Sequence, residues 1–331
     1  MEKNSFFIKI PAFYYGRRRT QVIQNVYPVL KKFQPSIVIT EASVTYLSAW
    51  LLLMLRPIFK YKLVGWGHGT GNKKIDNPFA GINGKFRRFF YKKLDAFIFY
   101  SNGRKQVFEK YLNKIPLIVA PNTLDTNYLK KLYNKFELIG TKEMKIRLNL
   151  NKKYNLIFIG RLLKSKRIDL LLDTFLLLKK DLHDIALHII GDGTELDQIK
   201  RFMKQTRDIY YYGSSYDDKK NGELLYCSDI FLMPGYVGLS VIHAMSFGCP
   251  VVTCNPGISG PFHSPEFEYI KHNQNGWIFK SDSNILANEI KEILVNKEML
   301  KTVKKNAVRD IYKNAAVGKF MQGFSDVIKI V

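Results

Sequence analysis

The alternation of short apolar runs with longer helical segments is the feature that most constrains the fold. The runs are four to seven residues long and almost continuously apolar rather than alternating between apolar and polar residues. Strands with that pattern are covered on both faces, which is typical of parallel sheets with helices packed on either side. Strands are predicted at 6–10, 36–40, 62–66, 96–100, 117–120, 155–160, 185–191, 209–213, 230–234, 250–254 and 276–279.

The length and the order of these segments predict two domains. A chain of 331 residues exceeds the size at which one hydrophobic core usually keeps growing. Helical segments such as 167–180 and 284–296 separate the strands, and the charged stretch 137–154 predicts a connector with a short helix. We therefore predict an α/β protein with two doubly wound Rossmann-like domains. The predicted parts are a first domain at 1–145, a second at 146–313, and a C-terminal helix at 314–331, with the first domain as one place for it to pack.

Cysteine content and hydropathy restrict the cellular setting. The three cysteines form no metal-binding or disulfide pattern, and no signal peptide is recognised, so a reducing cytosol is expected. The longest apolar run, 46–55, is too short to span a bilayer and ends at Arg56. No transmembrane helix is predicted.

The positive charge is concentrated in the first part of the chain. Residues 1–140 have a net charge of +17, whereas residues 141–331 have a net charge of +7. This asymmetry predicts that the first domain faces an anionic partner. Basic clusters at 16–19, 85–93 and 103–105 lie near Phe and Tyr, a mixture that suits lipid headgroups and interfacial rings. The same mixture could stack nucleic-acid bases, so charge alone does not choose between the two partners.

Glycine and cationic residues follow three strands of the predicted second sheet. Arg161 and Lys166 follow the strand at 155–160, and Gly191 and Gly193 follow the strand at 185–191. A third turn, with Gly235 and Gly238, leads from the strand at 230–234 into an apolar helix. Ligands of doubly wound sheets bind beyond the carboxyl ends of the strands. These turns therefore predict a cationic edge, lined by backbone N–H groups, that suits a pyrophosphate.

At this point the sequence resembles the nucleotide-sugar glycosyltransferases of the GT-B fold, in particular the retaining family four. The order and spacing of several motifs carry the resemblance, which covers roughly 115–280 well and the first domain only loosely. The motifs are "IGRLLKSKRIDLLLDTF" (159–175), "LHIIGDGTELDQI" (187–199), "LYCSDIFLMPG" (225–235), "GLSVIHAMSFGCPVV" (238–252), "PEFEYIKHNQNGWIF" (265–279) and "APNTLDT" (120–126). The resemblance implies two domains that face a cleft.

The resemblance also implies roles for individual residues. Arg161 and Lys166 would hold the donor diphosphate and stabilise the leaving nucleotide, and both are catalytic candidates. His68, flanked by glycines in "GWGHGTG" (65–71), is the third and would contact the transferred sugar or the acceptor. The segment around Tyr212 would border the nucleobase. The full set of donor-binding candidates is Gly191, Gly193, Tyr212, Gly213, Gly235, Gly238, Leu239, Ser240 and His243.

The sequence departs from the family pattern at two places. The family typically has two glutamates separated by seven residues, and Gly235 and His243 occupy those positions here. A neutral imidazole can still bond a ribose hydroxyl, but Gly235 supplies no side chain. The chain also begins without the usual strand and Gly-rich turn. The first domain is therefore expected to be abbreviated, or the first strand and helix are missing and activity is weak or absent.

The resulting hypothesis is a glycosyltransferase that moves a sugar from a nucleotide diphosphate to a lipid-linked or oligosaccharide acceptor. It would act at the inner face of the cell membrane in bacterial surface-polysaccharide assembly, with no cofactor and no metal, since no Asp-x-Asp motif is present. The anionic membrane is an expected partner and nucleic acid is not. Three alternatives remain open: a non-catalytic partner subunit, a GT-B epimerase or phosphorylase, and a nucleic-acid-binding protein.

Overall fold

The computed structural model describes residues 7–15, 21–71, 77–257 and 260–331, and it confirms the predicted α/β class. The chain forms two compact units with separate hydrophobic cores. One unit comprises Met1–Pro121 and Met321–Val331, and the other comprises Asn122–Phe320. The basic run Arg17, Arg18 and Arg19 lies outside the described residues.

The first unit contains a four-stranded parallel sheet among its described residues. Its order is β3 (Ile37–Glu41), β4 (Lys62–Gly67), β5 (Ala96–Phe99) and β6 (Leu117–Val119), and the four strands lie where the sequence predicted strands. A separate antiparallel pair consists of β1 (Ala12–Tyr15) and β2 (Gln21–Gln24). The helices are α1 (Tyr27–Phe33), α2 (Leu47–Phe59), α3 (Gly81–Tyr91) and α4 (Asn102–Glu109).

The strand predicted at 6–10 is wrong over its described part. Residues 7–10 form no strand, and the Phe7 side chain is 92% exposed. A short apolar strand is stable only where neighbours bond its backbone and cover its side chains, and residues 7–10 pair with no strand among the described residues. The first strand pairing among the described residues is instead the antiparallel one between β1 and β2.

The run at 46–55 forms most of α2, a helix of 13 residues that contains Arg56 and Pro57 near its end. The Arg56 guanidinium donates to the Lys93 carbonyl at 2.8 Å and to Asp95 Oδ1 at 2.7 Å, which fixes the end of this helix against the sheet. In the described part of the chain, no helix combines the length and apolarity needed to cross a membrane.

The second unit is built on a six-stranded parallel sheet with the order β12-β11-β10-β7-β8-β9 among its described residues. Every residue of β7, β8, β10 and β11 is buried, as the continuously apolar runs predicted. The strands are β7 (Tyr154–Ile159), β8 (Ile185–Ile190), β9 (Ile209–Tyr211), β10 (Ile230–Met233), β11 (Val251–Cys254) and β12 (Gly276–Phe279). The helices are α5 (Thr126–Ile139), α6 (Thr141–Arg147), α7 (Ile168–Asp181), α8 (Leu196–Met203), α9 (Asp218–Cys227), α10 (Ser240–Ser246), α11 (Ser283–Val295) and α12 (Lys297–Asn314). The last helix, α13 (Val317–Ile330), begins in this unit, and its residues from Met321 onward belong to the first unit.

The division between the units differs from the predicted boundary at 145/146. Helix α5 belongs to the second unit because its buried side chains, Leu129, Leu132 and Phe136, enter the core of that unit. The C-terminal residues 321–331 belong to the first unit. There Gly323 lies so close to β6 that an added Cβ would be 2.5 Å from the Val119 carbonyl oxygen.

Candidate functional site

The topology of the second sheet defines where a ligand site is expected. The chain runs outward from β7 through β8 to β9, and then returns to place β10 on the other side of β7. Strand order therefore reverses between β7 and β10, and such a switch point leaves a crevice beyond the carboxyl ends of the two strands. The loops that follow β7 and β10 meet there, and they contain Lys166 and Gly235.

The two loops are bonded to each other through main-chain and side-chain groups. Lys166 Nζ donates to the Tyr236 carbonyl at 2.6 Å, and the Tyr236 N–H donates to the Ser165 carbonyl at 2.8 Å. The same ammonium lies 4.9 Å from the centroid of the Tyr236 ring. A Cβ on Gly235 would be 2.3–2.5 Å from the Lys166 main chain, so only glycine permits this approach. The predicted residues Lys166 and Gly235 are thus brought together.

The surroundings of Lys166 lower its pKa. The residue is 8% exposed, and burial, reinforced by the Arg161 charge, lowers its pKa to about 8 against the raising effect of Glu266. Arg161 is itself exposed at the same loop, and no carboxylate among the described residues pairs with it. Two neighbouring cations that repel each other, one buried and one exposed, form a site with a strong electrostatic preference for an anion.

Gly191 and Gly193 pack against backbone of the loop after β7. Both have a φ of +152°, and a Cβ on either would approach a carbonyl oxygen of that loop, Gly160 at 1.9 Å and Leu162 at 2.4 Å. Leu162 donates its N–H to the Asp192 carbonyl and accepts from the Glu195 N–H, at 2.8 and 2.9 Å. These glycines hold the loop that carries Arg161 and Lys166.

His263 and Ser264, which follow β11, bond to the turn after β10. The sequence analysis did not single out either residue. The Val237 N–H donates to His263 Nδ1 at 3.2 Å, and Ser264 Oγ donates to the Val237 carbonyl at 2.8 Å. His263 Nε2 lies 2.8 Å from the Cys254 carbonyl, to which it donates, and burial lowers the pKa of this histidine to about 4. A neutral His263 therefore ties the turn to the end of β11.

Glu266 lies two residues after Ser264, and the sequence analysis did not single it out. It is 2% exposed, accepts from Asn122 Nδ2 and bonds to Ser264 Oγ. Tyr269 OH in turn donates to the Asn122 carbonyl at 2.9 Å. The motifs at 265–279 and 120–126 contain these residues, but no spacing rule pointed to their side chains.

Helix α10 begins at Ser240 and buries His243. The N–H groups of Val241, Ile242 and His243 bond back to the carbonyls of Gly238 or Leu239. His243 Nε2 is buried without a hydrogen bond, and Asp218 Oδ1 lies 3.6 Å away. Burial lowers the pKa of this imidazole, and the Asp218 charge opposes the effect. The buried imidazole nitrogen is thus left without a hydrogen-bond partner.

Tyr212 is tied to the sheet through its hydroxyl group. The hydroxyl lies 2.9 Å from His188 Nδ1, and His188 Nε2 lies 3.0 Å from Asn155 Oδ1. Burial lowers the pKa of His188 to about 4 and raises that of Tyr212 to about 12, so both remain neutral at physiological pH. Gly213, at a φ of +72°, accepts the Gly191 N–H at 2.8 Å. These bonds make the segment a rigid border beyond β8 and β9.

His68 lies in the first unit, directly after β4. It is exposed between two glycines at positive φ, and its ring packs on Tyr100 with the centroids 4.6 Å apart. Tyr91 OH bonds to the Gly69 carbonyl at 2.7 Å, which fixes the turn from within the core. His68 is therefore displayed at the carboxyl edge of its own sheet.

Among the described residues, no three His, Cys, Asp or Glu side chains are grouped so that they could hold a metal ion. The three cysteines are buried and free, and burial raises the pKa of the Cys227 and Cys254 thiols to about 11.

The part of the chain that contains these loops is similar to a known protein family. The family model described as glycosyl transferases group 1 matches residues 141–310, which is half of the chain. The chain belongs to this family. The matched span contains the loops after β7, β8 and β10, and thus every residue of the candidate site except Asn122 and His68.

Individual relatives of this group 1 chain extend the match. An uncharacterized glycosyltransferase of Methanocaldococcus jannaschii is 26% identical over 80% of the chain, which spans just under two thirds (65%) of that protein's length. An uncharacterized 41.2 kDa protein in the cps region of Klebsiella pneumoniae is 29% identical over 40% of this chain and 38% of its own. The Anabaena HepE structure in complex with UDP superposes with a TM-score of 0.69, at 17% identity, over 92% of this chain and 82% of its own. That likeness confirms the GT-B fold.

Proposed function

We propose that the second unit binds a nucleotide diphosphate sugar beyond the carboxyl ends of β7 and β10, and that the protein transfers the sugar to an acceptor hydroxyl. The observation that carries the proposal is the junction of the two loops, where Lys166 and the exposed Arg161 place two cations beside a glycine-rich turn. Membership of the group 1 family and the UDP bound to the structurally similar HepE support it.

In this proposal each residue has a chemical task. The acceptor oxygen forms a bond to the anomeric carbon as the bond from that carbon to the diphosphate oxygen breaks, and the acceptor proton is released. Arg161 and Lys166 stabilise the negative charge that develops on the departing diphosphate, without a metal ion. His243 Nε2 and Asp218 would share a ribose hydroxyl, and His68 would contact the sugar or the acceptor.

A panel of nucleotides tests the donor proposal. Thermal unfolding is followed with UDP, GDP and dTDP and with their sugars, in EDTA and in Mg²⁺. Ligand at about 100 times its Kd should add about 2.7 kcal/mol of stability. Stabilisation in EDTA supports the metal-free site, and stabilisation that requires Mg²⁺ contradicts that part. Binding without transfer or donor hydrolysis would favour a non-catalytic subunit instead.

The pKa of Lys166 predicts how UDP affinity depends on pH. The protonated ammonium binds the diphosphate, and burial lowers its pKa to about 8. UDP affinity is therefore expected to be highest below pH 8 and to fall as the pH rises to 9.5, in calorimetric titrations at constant ionic strength. The Lys166→Met variant is the control, because it keeps the length of the side chain and has no group to titrate. It should bind weakly at every pH, and a wild-type profile that is flat over this range would contradict the assignment.

We further propose that the acceptor is presented at an anionic membrane and that the first unit docks there. The support is an exposed surface of helices α2 and α3, here called the aromatic face. Ile82, Phe86 and Phe89 recur on one side of α3 at i, i+4 and i+7 and are 72%, 55% and 55% exposed. Trp50 of α2 stacks on Phe89 with centroids 6.3 Å apart and meets Phe86 edge-on at 6.4 Å.

Basic residues flank the aromatic face. Lys85, Arg88, Lys92 and Lys93 are exposed on or just after α3, Lys93 Nζ lies 5.8 Å from the centroid of the Phe89 ring, and Asp76 is the one acidic residue in the sequence from 42 to 94. Apolar rings that enter the headgroup region, with cations beside them, match an anionic lipid surface rather than an apolar protein partner. The cps-region relative is consistent with an acceptor of surface-polysaccharide assembly.

Vesicle sedimentation tests the docking. The protein is expected to bind phosphatidylglycerol vesicles at low salt, to be released by added salt, and not to bind phosphatidylcholine. Each basic residue near the surface contributes about 1 kcal/mol, so the double change Arg88→Ala and Lys92→Ala should weaken binding about 30-fold. The double change Lys301→Ala and Lys305→Ala removes two exposed lysines of the second unit and is the matched control. Binding that is independent of lipid charge, or an equal loss in the control, would contradict the proposal.

A further inference from the structure

An open cavity of about 290 Å³ lies in the second unit, at the edge of the sheet opposite to the loops after β7 and β10. Its lining residues precede strands rather than follow them, since Tyr226 comes shortly before β10 and Gly248 shortly before β11. The strands of this sheet are parallel, so their amino ends share one edge. Helix α10, whose seven residues span roughly 10 Å, separates Gly248 from the turn after β10. The cavity is therefore distinct from the proposed donor site.

One wall of the cavity is a row of four lysines on α12. They recur at i, i+4, i+7 and i+8, which places them on one face of the helix: Lys297, Lys301, Lys304 and Lys305. Three of the four are exposed and form no ion pair with a carboxylate of the described residues. The fourth is fixed in place, because Lys304 Nζ donates to the Ser228 carbonyl at 2.7 Å and lies 3.5 Å from Asp229 Oδ1.

Aromatic side chains line the cavity beside these lysines. They are Tyr133 of α5, Tyr226 of α9 and Phe247, which follows α10. The rings of Tyr133 and Tyr226 meet edge-on, with their centroids 6.0 Å apart. Glu137 is the one carboxylate among the described lining residues, and it accepts the Tyr226 hydroxyl at 2.7 Å. The lining thus combines four ammonium groups, one carboxylate and a set of rings.

We propose that this cavity binds a small soluble phosphate ester that carries a ring, with the phosphate on the lysines of α12 and the ring against Tyr133 and Tyr226. Lysines bind phosphate as point charges, and aromatic side chains cover the uncharged part of a ligand. The volume lies at the lower end of the range for small-molecule sites, which suits a ligand with one ring. A phosphatidylglycerol headgroup offers a phosphate but no ring, so the aromatic lining favours the soluble ligand.

Calorimetric titration with phenyl phosphate tests both halves of the site, because this probe has one phosphate and one ring. The wild type should bind phenyl phosphate more tightly than inorganic phosphate. The double change Lys301→Ala and Lys305→Ala should weaken the binding of both probes at least about tenfold, since one hydrogen bond between charged groups already contributes about that factor. Tyr133→Ala should weaken the binding of phenyl phosphate alone.

Two control variants exclude other sites. Lys200→Ala with Lys313→Ala removes two exposed lysines of the same unit that do not line the cavity, and Arg161→Ala alters the proposed donor site. Both should bind phenyl phosphate as the wild type does. Absence of binding by the wild type, or an equal loss in either control, would overturn the proposal.

Vesicle sedimentation distinguishes a free phosphate ester from a lipid headgroup. The variant with Lys301→Ala and Lys305→Ala should bind phosphatidylglycerol vesicles as the wild type does while it loses phenyl phosphate. Loss of vesicle binding in this variant would assign the lysines to a lipid headgroup and overturn the soluble ligand.

Discussion

Replacement of Arg161 or Lys166 by alanine is expected to lower the rate of sugar transfer by about 10²–10³-fold, the usual cost of removing one preorganised charge contact at a reacting centre. The two residues should contribute mainly to kcat, because the charge that they neutralise grows on the diphosphate as the sugar departs. The measurement is initial rates with the donor that gives the largest thermal stabilisation, together with UDP titrations of each variant.

The two variants should differ in what they do to the fold. Arg161 is exposed and unpaired among the described residues, so its removal should leave the unfolding temperature unchanged. Lys166 is buried and donates to the Tyr236 carbonyl, so its removal leaves that oxygen without its donor and costs about 1–3 kcal/mol. The exposed Lys164, two residues away, supplies the matched control as Lys164→Ala. Activity within about threefold of the wild type for both site variants would exclude the donor-site assignment.

The sheet of the second unit and the position of its loops could be predicted because one physical rule connects them to the sequence. Parallel strands buried on both faces are continuously apolar, and "NLIFIG" and "IFLMPG" both end at a glycine. Once the strands are parallel, all of their carboxyl ends lie at one edge, so Arg161, Lys166 and Gly235 were expected at the same edge of the sheet. Their close approach depends in addition on the pairing of β10 with β7, which the sequence did not predict.

The side chains that hold the site could not be predicted in the same way. His263 and Ser264 bond to Val237 across 26 and 27 residues, from a stretch that forms no regular element and so carries no periodicity. The packing of Gly191 and Gly193 could not be predicted for a related reason. The backbone that they approach belongs to the loop after β7, not to their own loop after β8. Helix α5 is amphipathic, but an apolar face does not indicate whether a helix packs on the core of the first unit or on that of the second.

Substitution of Gly235 by glutamate is expected to abolish donor binding. A Cβ at this position would lie 2.5 Å from Lys166 Cα and 2.3 Å from its carbonyl carbon, and these are main-chain atoms that cannot rotate away. The Tyr236 N–H bond to Ser165 and the Lys166 bond to Tyr236 hold the two loops at this separation. Any side chain must therefore break these bonds and separate Arg161 and Lys166 from the turn.

The expected cost follows from that clash. Overpacking against rigid neighbours costs up to about 3 kcal/mol, which lowers the unfolding temperature of a unit of this size by about 6–12 °C. UDP affinity should fall at least about 100-fold, since both cations lose their positions together. Gly238→Ala is the matched control for stability, because its Cβ would meet Tyr236 at 3.8 Å and Ser264 at 4.0 Å, ordinary contact distances. A Gly235→Glu variant with normal stability and wild-type or higher transfer would show that the two loops separate freely and would contradict this prediction.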